Sequence, residues 1–213
     1  MNKNVLKFLT ASLAAMVLLL GFAKNSSAQS HCNLPGFHDI SLNGGYGSIM
    51  QSLESYKKPI SGYKNVEASG YKYTPTVSGE WAYRFSKKAA VGVILSFQAV
   101  DYKVAFPTAT GTANLKAKDY WYSLMPQFRY YWHSAPRFNI YSKAAAGVSA
   151  HRSIYSTPSE DKKTKEEKFK GFNFTWQVSA LGFEYGETFC VFAEGGYGTQ
   201  GYALAGIRVK FAL

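Results

Sequence analysis

The chain has 213 residues, of which 46% are hydrophobic, 16% aromatic and 17% charged. The charged share lies below the roughly 25% of ordinary soluble domains, and two cysteines are too few for a small disulfide scaffold. The abundance of Tyr, Phe and Gly excludes a disordered chain and a coiled coil. A mean hydropathy of −0.18 excludes a bundle of membrane-spanning helices.

The first 28 residues have the layout of a secretory signal peptide. Lys3 and Lys7 precede an apolar run over residues 11–23, and small residues follow up to Ala28. This layout predicts cleavage between Ala28 and Gln29. The alternative, a retained membrane anchor, needs about 20 apolar residues, and Lys7 shortens the available stretch.

The exported chain is basic. Removing residues 1–28 deletes Lys3, Lys7 and Lys24 and no acidic residue, so the net charge falls from +11 to +8. Because an exported chain does not meet cytosolic nucleic acid, we expect no nucleic-acid partner. A basic balance favours anionic partners at a cell surface, such as lipopolysaccharide phosphates; alternatively, the lysines only keep loops soluble.

Beyond residue 38, apolar and polar residues alternate with a period of two, which is typical of β-strands with one apolar face. The predicted strands cover residues 40–49, 71–85, 89–97, 120–132, 138–150, 172–180, 189–197 and 207–213. The apolar rows carry aromatic side chains toward the strand ends. Those expected to face lipid are Tyr71, Tyr73, Trp81, Tyr83, Phe85, Tyr120, Tyr122, Phe128, Tyr130, Trp132, Phe172, Phe174, Trp176 and Phe211.

A soluble β-sandwich would alternate in the same way, so the aromatic positions decide between the two folds. Tyr and Trp at strand ends are typical of a membrane interface, and a closed barrel satisfies every backbone hydrogen bond in lipid. Short connections are expected at 86–88, 133–137 and 186–188, and long ones at 50–70, 103–118 and 152–168. The sequence therefore predicts an all-β fold: a monomeric, eight-stranded, antiparallel up-and-down transmembrane β-barrel over residues 39–213. A periplasmic segment over 29–38 precedes it, and both chain ends lie in the periplasm.

Two segments near the C-terminus carry a family resemblance. Residues 192–198 (FAEGGYG) and 206–211 (GIRVKF) look like the last two strands of eight-stranded bacterial outer-membrane β-barrel domains of the OmpA/OmpX type. The resemblance spans residues 39–213. It implies the fold and a location in the bacterial outer membrane, and it implies no single activity.

The polar row of the strands contains charged residues of both signs. An eight-stranded barrel is just wide enough for its side chains to fill it, so these charges must be paired or hydrated. The predicted interior network is Glu80, Arg84, Arg129, Lys143, Glu194, Arg208 and Lys210. We expect Glu80 and Glu194 to pair with some of Arg84, Arg129, Arg208 and Lys210 as a structural plug; the alternative is an anion path through the positive surplus.

Cysteine and histidine offer two further predictions. Cys32 and Cys190 are both expected on the periplasmic side, where thiols are oxidised, so they form a candidate disulfide; two unpaired thiols are the alternative. The four histidines show no metal-ligand spacing, and we expect no metal and no cofactor. The sequence GYGTQG at 196–201 is followed by a strand rather than a helix, so it indicates a tight hairpin and not a nucleotide site.

One pair of residues could carry catalysis. His151 and Ser153 resemble the His-x-Ser pair of lipid A deacylases, but the flanking residues do not match that family. We therefore expect no enzyme activity and a structural or surface-interaction role without a large open pore. The expected partners are outer-membrane lipids and lipopolysaccharide, and a surface or host ligand held by the long outer loops. The alternatives are a narrow porin-like channel and a membrane-embedded lipid A hydrolase.

Overall fold

The computed structural model describes residues 35–49, 67–108, 111–156 and 171–212. The strands within these residues are β1 (Phe37–Tyr46), β2 (Glu67–Tyr73), β3 (Thr76–Ser86), β4 (Ala89–Thr108), β5 (Gly111–Ser134), β6 (Phe138–Ser156), β7 (Gly171–Gly186), β8 (Phe189–Gly198) and β9 (Ala203–Ala212). In the described part of the chain, no helix is long and apolar enough to cross a membrane.

The strands close into a barrel. Each strand from β3 to β8 pairs antiparallel with the next, and β1 pairs with both β3 and β9. β2 pairs only with the outer part of β4, so β2 and β3 share one position around the barrel. The described residues therefore form a closed, eight-stranded antiparallel barrel, which confirms the predicted fold class.

Side chains alternate between the lumen and the outer surface. β5 shows the pattern most clearly, because Gln127 and Arg129 are buried while Leu124 and Phe128 are exposed. The inner rows of the other strands are likewise mostly polar and buried, and the outer rows are mostly apolar and exposed. The arrangement is the reverse of a soluble domain, which buries its apolar residues.

Two irregularities in the described strands explain where the predicted facing of side chains fails. In β7, the pairing with β8 shifts between Ser179 and Leu181, so the strand carries one extra residue there. The other lies between β2 and β3, where Thr74 bonds twice to Ala99. Beyond it Tyr73 stands opposite Val100, which is fully buried on the inner side. Tyr73 is therefore turned away from the lipid-facing row in which the sequence pattern placed it.

One predicted connection is wrong. Residues 103–118 do not form a loop, because the β4–β5 ladder continues without interruption to Thr108 opposite Gly111. β4 has 20 residues and β5 has 24, about twice what a bilayer requires. We call the projecting sheet the blade; it comprises β2 and the outer ends of β4 (101–108), β5 (111–118) and β6 (152–156).

The opposite end of the barrel is formed by short turns at 87–88, 135–137 and 187–188, as predicted. Phe37 of β1 stands opposite Ala212 of β9 at this same end. We call it the turn end. The connections over 50–66 and 157–170 lie outside the described residues.

Candidate functional site

The centre of the lumen is an ion-pair cluster around Glu80. Lys143 Nζ lies 2.8 Å from Glu80 Oε1 and 2.7 Å from Glu194 Oε2. Arg129 Nη2 lies 3.3 Å from Glu80 Oε2. These residues come from four different strands, whose inward rows meet at one level of the barrel. Arg129 is one of the partners predicted for Glu80, whereas Lys143, which pairs with both acids, was predicted inside the barrel but not as a partner of either.

A second cluster lies closer to the turn end, around Glu184 and Asp39. Arg208 Nη1 and Lys210 Nζ both bond to Glu184, the lysine at 2.5 Å. Asp39 accepts from Arg129 Nη1 at 3.0 Å and faces Arg208 Nε at 3.3 Å. Arg129 and Arg208 therefore join the two clusters into one network.

The sequence pattern did not identify Glu184 and Asp39. Glu184 follows the extra residue in β7, which reverses the alternation that holds from Phe172 to Val178. A signal was present, because Leu181, Phe183 and Tyr185 alternate in the opposite phase from Phe174 and Trp176. Asp39 was missed because the first strand was predicted to start at residue 40, whereas β1 begins at Phe37.

Neutral groups complete the network. The Tyr141 hydroxyl donates to Glu194 Oε1 at 2.8 Å, and the Ser179 hydroxyl donates to Glu194 Oε2 at 2.6 Å. The Arg208 guanidinium lies 4.4 Å from the centre of the Phe192 ring. Arg84, one of the cations predicted as possible partners of these acids, lies 3.7 Å over the Tyr131 ring and donates to Lys87 O at 2.9 Å. It therefore belongs to the turn end of the lumen.

The short β8–β9 connection folds into the lumen from the other side. Gln200 is fully buried, and its Nε2 donates to Glu80 Oε1 at 3.0 Å. Gln177 Oε1 accepts from Gln200 N at 2.8 Å, and Gln177 Nε2 donates to Gly201 O at 3.2 Å. A Cβ on Gly45 would collide with the Gln200 carbonyl, which explains glycine at that position. This connection covers the central cluster from the blade side.

The lumen is filled by these side chains. Four acids and five cations of the network are all at most 5% exposed: Asp39, Glu80, Glu184, Glu194, Arg84, Arg129, Lys143, Arg208 and Lys210. A shallow, partly open pocket at the turn end is lined by Asp39, Arg84 and Lys210, among others. Because the central pairs are buried on both sides, the arrangement can lock the barrel and block the passage of solutes.

The outer rows hold most of the predicted lipid-facing aromatics. The exposed ones are Trp81, Phe85, Tyr122, Phe128, Trp132, Phe172 and Phe174, and the partly exposed ones are Tyr83, Tyr130, Trp176 and Phe211. Tyr120 lies in the same row but is only 8% exposed, with its ring stacked on Phe97 at 6.1 Å. Tyr73 is turned inward, as described above, and the side chain of Tyr71 lies outside the described set.

One residue of the candidate catalytic pair, His151, lies on the inner row. His151 stands opposite Trp121 on the inner row, and their ring centroids are 4.7 Å apart. The side chain of Ser153 is not among those described. His151 is thus on the side of the strand away from the exposed outer row.

The remaining sequence predictions concern cysteine and metals. Cys190 is fully buried at the turn end, with Sγ 3.2 Å from Glu187 O. Cys32 lies outside the described residues, so the Cys32–Cys190 disulfide stays a prediction. Among the residues that the structure describes, no group of three or more His, Cys, Asp or Glu side chains could hold a metal ion.

An exposed ion pair links two of the short turns. Arg137 Nε lies 2.7 Å from Glu187 Oε1, and both side chains are solvent-accessible. The hydrogen bond and the charge of Glu187 raise the pKa of Arg137 above its usual value. Arg137 therefore stays charged, and the pair provides an exposed counterpart to the buried pairs of the lumen.

The barrel is similar to solved bacterial outer-membrane proteins. The attachment invasion locus protein Ail of Yersinia pestis aligns over 84% of this chain and all of its own, with 14% identity and a TM-score of 0.42. OprG of Pseudomonas aeruginosa covers 84% of this chain and 98% of its own, with 12% identity and a TM-score of 0.38. The N-terminal β-barrel domain of Pseudomonas aeruginosa OprF covers 83% and 98%, with 14% identity and a TM-score of 0.34.

No family model matches the sequence, and no curated protein matches it. The structural similarities are weak, so location and role have to be argued from the chain's own surfaces.

Proposed function

We propose that the chain is a small bacterial outer-membrane β-barrel with a closed lumen, which anchors the blade at the cell surface in a structural or surface-interaction role. The observation that carries this proposal is the reversed distribution of side chains. Leu95 is 60% exposed and Phe174 71% exposed on the outer surface, whereas Arg129 and Arg208 are fully buried inside. Hydrocarbon is the solvent in which such an outer surface is stable.

The dimensions of the outer surface support this reading. On β5, Tyr120 and Trp132 bracket the apolar outer row. At roughly 3.3 Å per residue this stretch runs for about 40 Å, and a strand tilt of about 40° reduces it to about 30 Å along the barrel axis. That length matches the hydrocarbon core of a bilayer, which is about 30 Å thick.

The orientation follows from the lengths of the connections. Barrels of this class have short periplasmic turns and long extracellular segments, so the turn end faces the periplasm and the blade faces outward. Because the number of strand positions in the barrel is even, both ends of the barrel domain then lie in the periplasm. This agrees with export by a signal peptide over 1–28. The outward blade is the part available for contact with other molecules.

The closed lumen distinguishes this proposal from a channel. Purified barrel should insert into phosphatidylcholine vesicles with the change in gel mobility on heating that is typical of folded barrels. In a planar bilayer it should give no steady conductance, because the ion pairs around Glu80 fill the cross-section. A large and steady conductance would instead establish the narrow channel.

A further inference from the structure

Cys190 faces the lumen at the turn end of the barrel. It is the first inward residue of β8, opposite Gly186 of β7 and Arg208 of β9. Lys210 follows Arg208 on the same inner row, its backbone N donates to Thr188 O at 2.8 Å, and its side chain lines the shallow pocket at this end. Cys190 therefore lies beside the part of the lumen that opens toward the turns.

The chain enters β1 at the same pocket. Phe37, the first residue of β1, lines the pocket together with Asp39 and Arg84. Pro35 and Gly36 form a turn before it, with Gly36 at a φ of 96° and its backbone N bonded to Arg84 O at 2.8 Å. The chain therefore changes direction at the edge of this opening, as a segment that crosses the opening would require.

The segment before this turn lies outside the described residues, but its length can be compared with the distance to Cys190. On β9, Ala212 stands opposite Phe37 and Arg208 stands opposite Cys190. Phe37 and Cys190 are thus separated by four residues along β9 and two strand spacings across it, which amounts to about 16 Å. The five residues from Cys32 to Phe37 span up to about 17 Å, and a disulfide joins Cα atoms about 5.5 Å apart. Cys32 can therefore reach Cys190.

The composition of residues 29–36 (QSHCNLPG) suits a cover over the pocket. The segment contains no Lys, Arg, Asp or Glu, so it brings no unpaired charge to the end of the ion-pair network. The chain has two cysteines, so Cys32 is the partner that the sequence offers to Cys190. Thiols in the periplasm are kept oxidised.

We propose that residues 29–36 fold across the pocket at the turn end and that a disulfide between Cys32 and Cys190 holds them there. The bond forms by exchange with a disulfide oxidoreductase of the periplasm: Cys32 attacks the disulfide of the oxidant, and Cys190 then displaces it. Both thiol protons and two electrons pass to the oxidant, which becomes a dithiol. The inference rests on the proposed orientation, with the turn end in the periplasm, and adds a covalently held cover to that end of the lumen.

The test follows the bond in the full exported chain, residues 29–213. The unmodified barrel and its variants are inserted in phosphatidylcholine vesicles with reduced thiols and are then transferred to a buffer of reduced and oxidised glutathione. Cys32→Ser removes the partner. The control, Cys190→Ser with Val191→Cys, keeps a thiol on β8 but moves it to the outer row, where Val191 is 51% exposed. Mass spectrometry of peptides, after alkylation of the remaining thiols, measures the disulfide.

We expect most molecules of the unmodified barrel to contain the disulfide, and the control to contain it in a fraction about tenfold lower. Reduction should then lower the urea concentration at which the unmodified barrel unfolds, because the bond restricts the unfolded chain, and should leave Cys32→Ser unchanged. Equal disulfide fractions in the unmodified barrel and the control, or free thiols in both, would overturn the proposal while leaving membrane insertion and the proposed function intact.

The barrel produced in cells completes the test. Free thiols are alkylated before lysis, and we expect both cysteines to escape alkylation and to be recovered as one cross-linked pair of peptides. A bond that forms in vesicles but is absent from the cellular protein would overturn the proposal. It would also overturn the periplasmic location of the turn end, since the geometry would allow the bond and only the compartment would withhold the oxidant.

Discussion

At the scale of single residues, Glu80 holds the lumen together. Its carboxylate accepts from Lys143 Nζ at 2.8 Å, Asn43 Nδ2 at 2.9 Å and Gln200 Nε2 at 3.0 Å, and it pairs with Arg129. The donors reach it from the turn end, the blade end and the opposite wall. Removing this one charge therefore affects residues from four other strands or turns at once.

We expect Glu80→Gln to destabilise the folded barrel by about 3–5 kcal/mol, because Lys143 and Arg129 would keep buried charges without their main acceptor. Unfolding in urea, with the barrel in phosphatidylcholine vesicles, measures the effect. Glu187→Gln is the matched control, since it breaks an exposed pair of similar length and should cost less than about 1 kcal/mol. Equal costs for the two variants would mean that water reaches the lumen and screens its charges.

The residues of the network were only partly predictable from the sequence. Lys143, Glu194 and Arg208 lie on strands with unbroken alternation, so their inward position follows from the pattern alone. Glu184 does not, because one extra residue in β7 reverses the face of everything that follows it. Which charges pair depends on which residues of different strands lie at the same height in the barrel. The alternation within one strand does not show this.

At the scale of elements, the main departure from the sequence expectations is the blade. Residues 103–118 are rich in Lys, Ala and Thr and lack the apolar alternation of the barrel strands, so they were predicted as a loop. They nevertheless pair residue by residue up to Thr108 and Gly111. Hydrogen bonding continues along a hairpin that is already aligned, even where there is no lipid to require an apolar row.

We expect the blade to be dispensable for folding. Deleting residues 104–115 and joining Lys103 to Lys116 through Asn-Gly leaves the β4–β5 pairs from Ala89 to Asp101 in place, and the Asn-Gly turn suits a two-residue hairpin. The shortened barrel should insert in vesicles and unfold at the same urea concentration as the full chain. As a control, only Leu95 and Leu124, which face each other, are deleted. This should prevent insertion, because on the blade side of the deletion both strands would turn their polar side chains outward and their apolar ones inward. Insertion of the control but not of the shortened barrel would contradict the division into barrel and blade.

Across the whole barrel, the inner surface is polar and satisfied by its own side chains, whereas the outer surface is apolar. The inner surface supplies its own polar partners, through the Glu80 and Glu184 clusters and the Gln200 connection. The outer surface offers apolar side chains with aromatic residues at both edges. This division also explains why the sequence predicted the architecture well: a closed barrel in lipid forces strict alternation on nearly every strand, and alternation is what a sequence displays most directly.

The outer surface allows a direct test of the membrane assignment. Leu95 is 60% exposed and lies in a row with Leu124, well inside the apolar band. In water, replacing so exposed a leucine with arginine should change the stability by no more than about 0.5 kcal/mol. Facing hydrocarbon near the bilayer centre, Leu95→Arg should cost about 2–4 kcal/mol. Leu95→Ala removes the side chain without adding charge and isolates the loss of packing, so the difference between the two variants, measured by urea unfolding in vesicles, reports the lipid contact. A difference close to zero would mean that this face meets water or another protein surface rather than lipid.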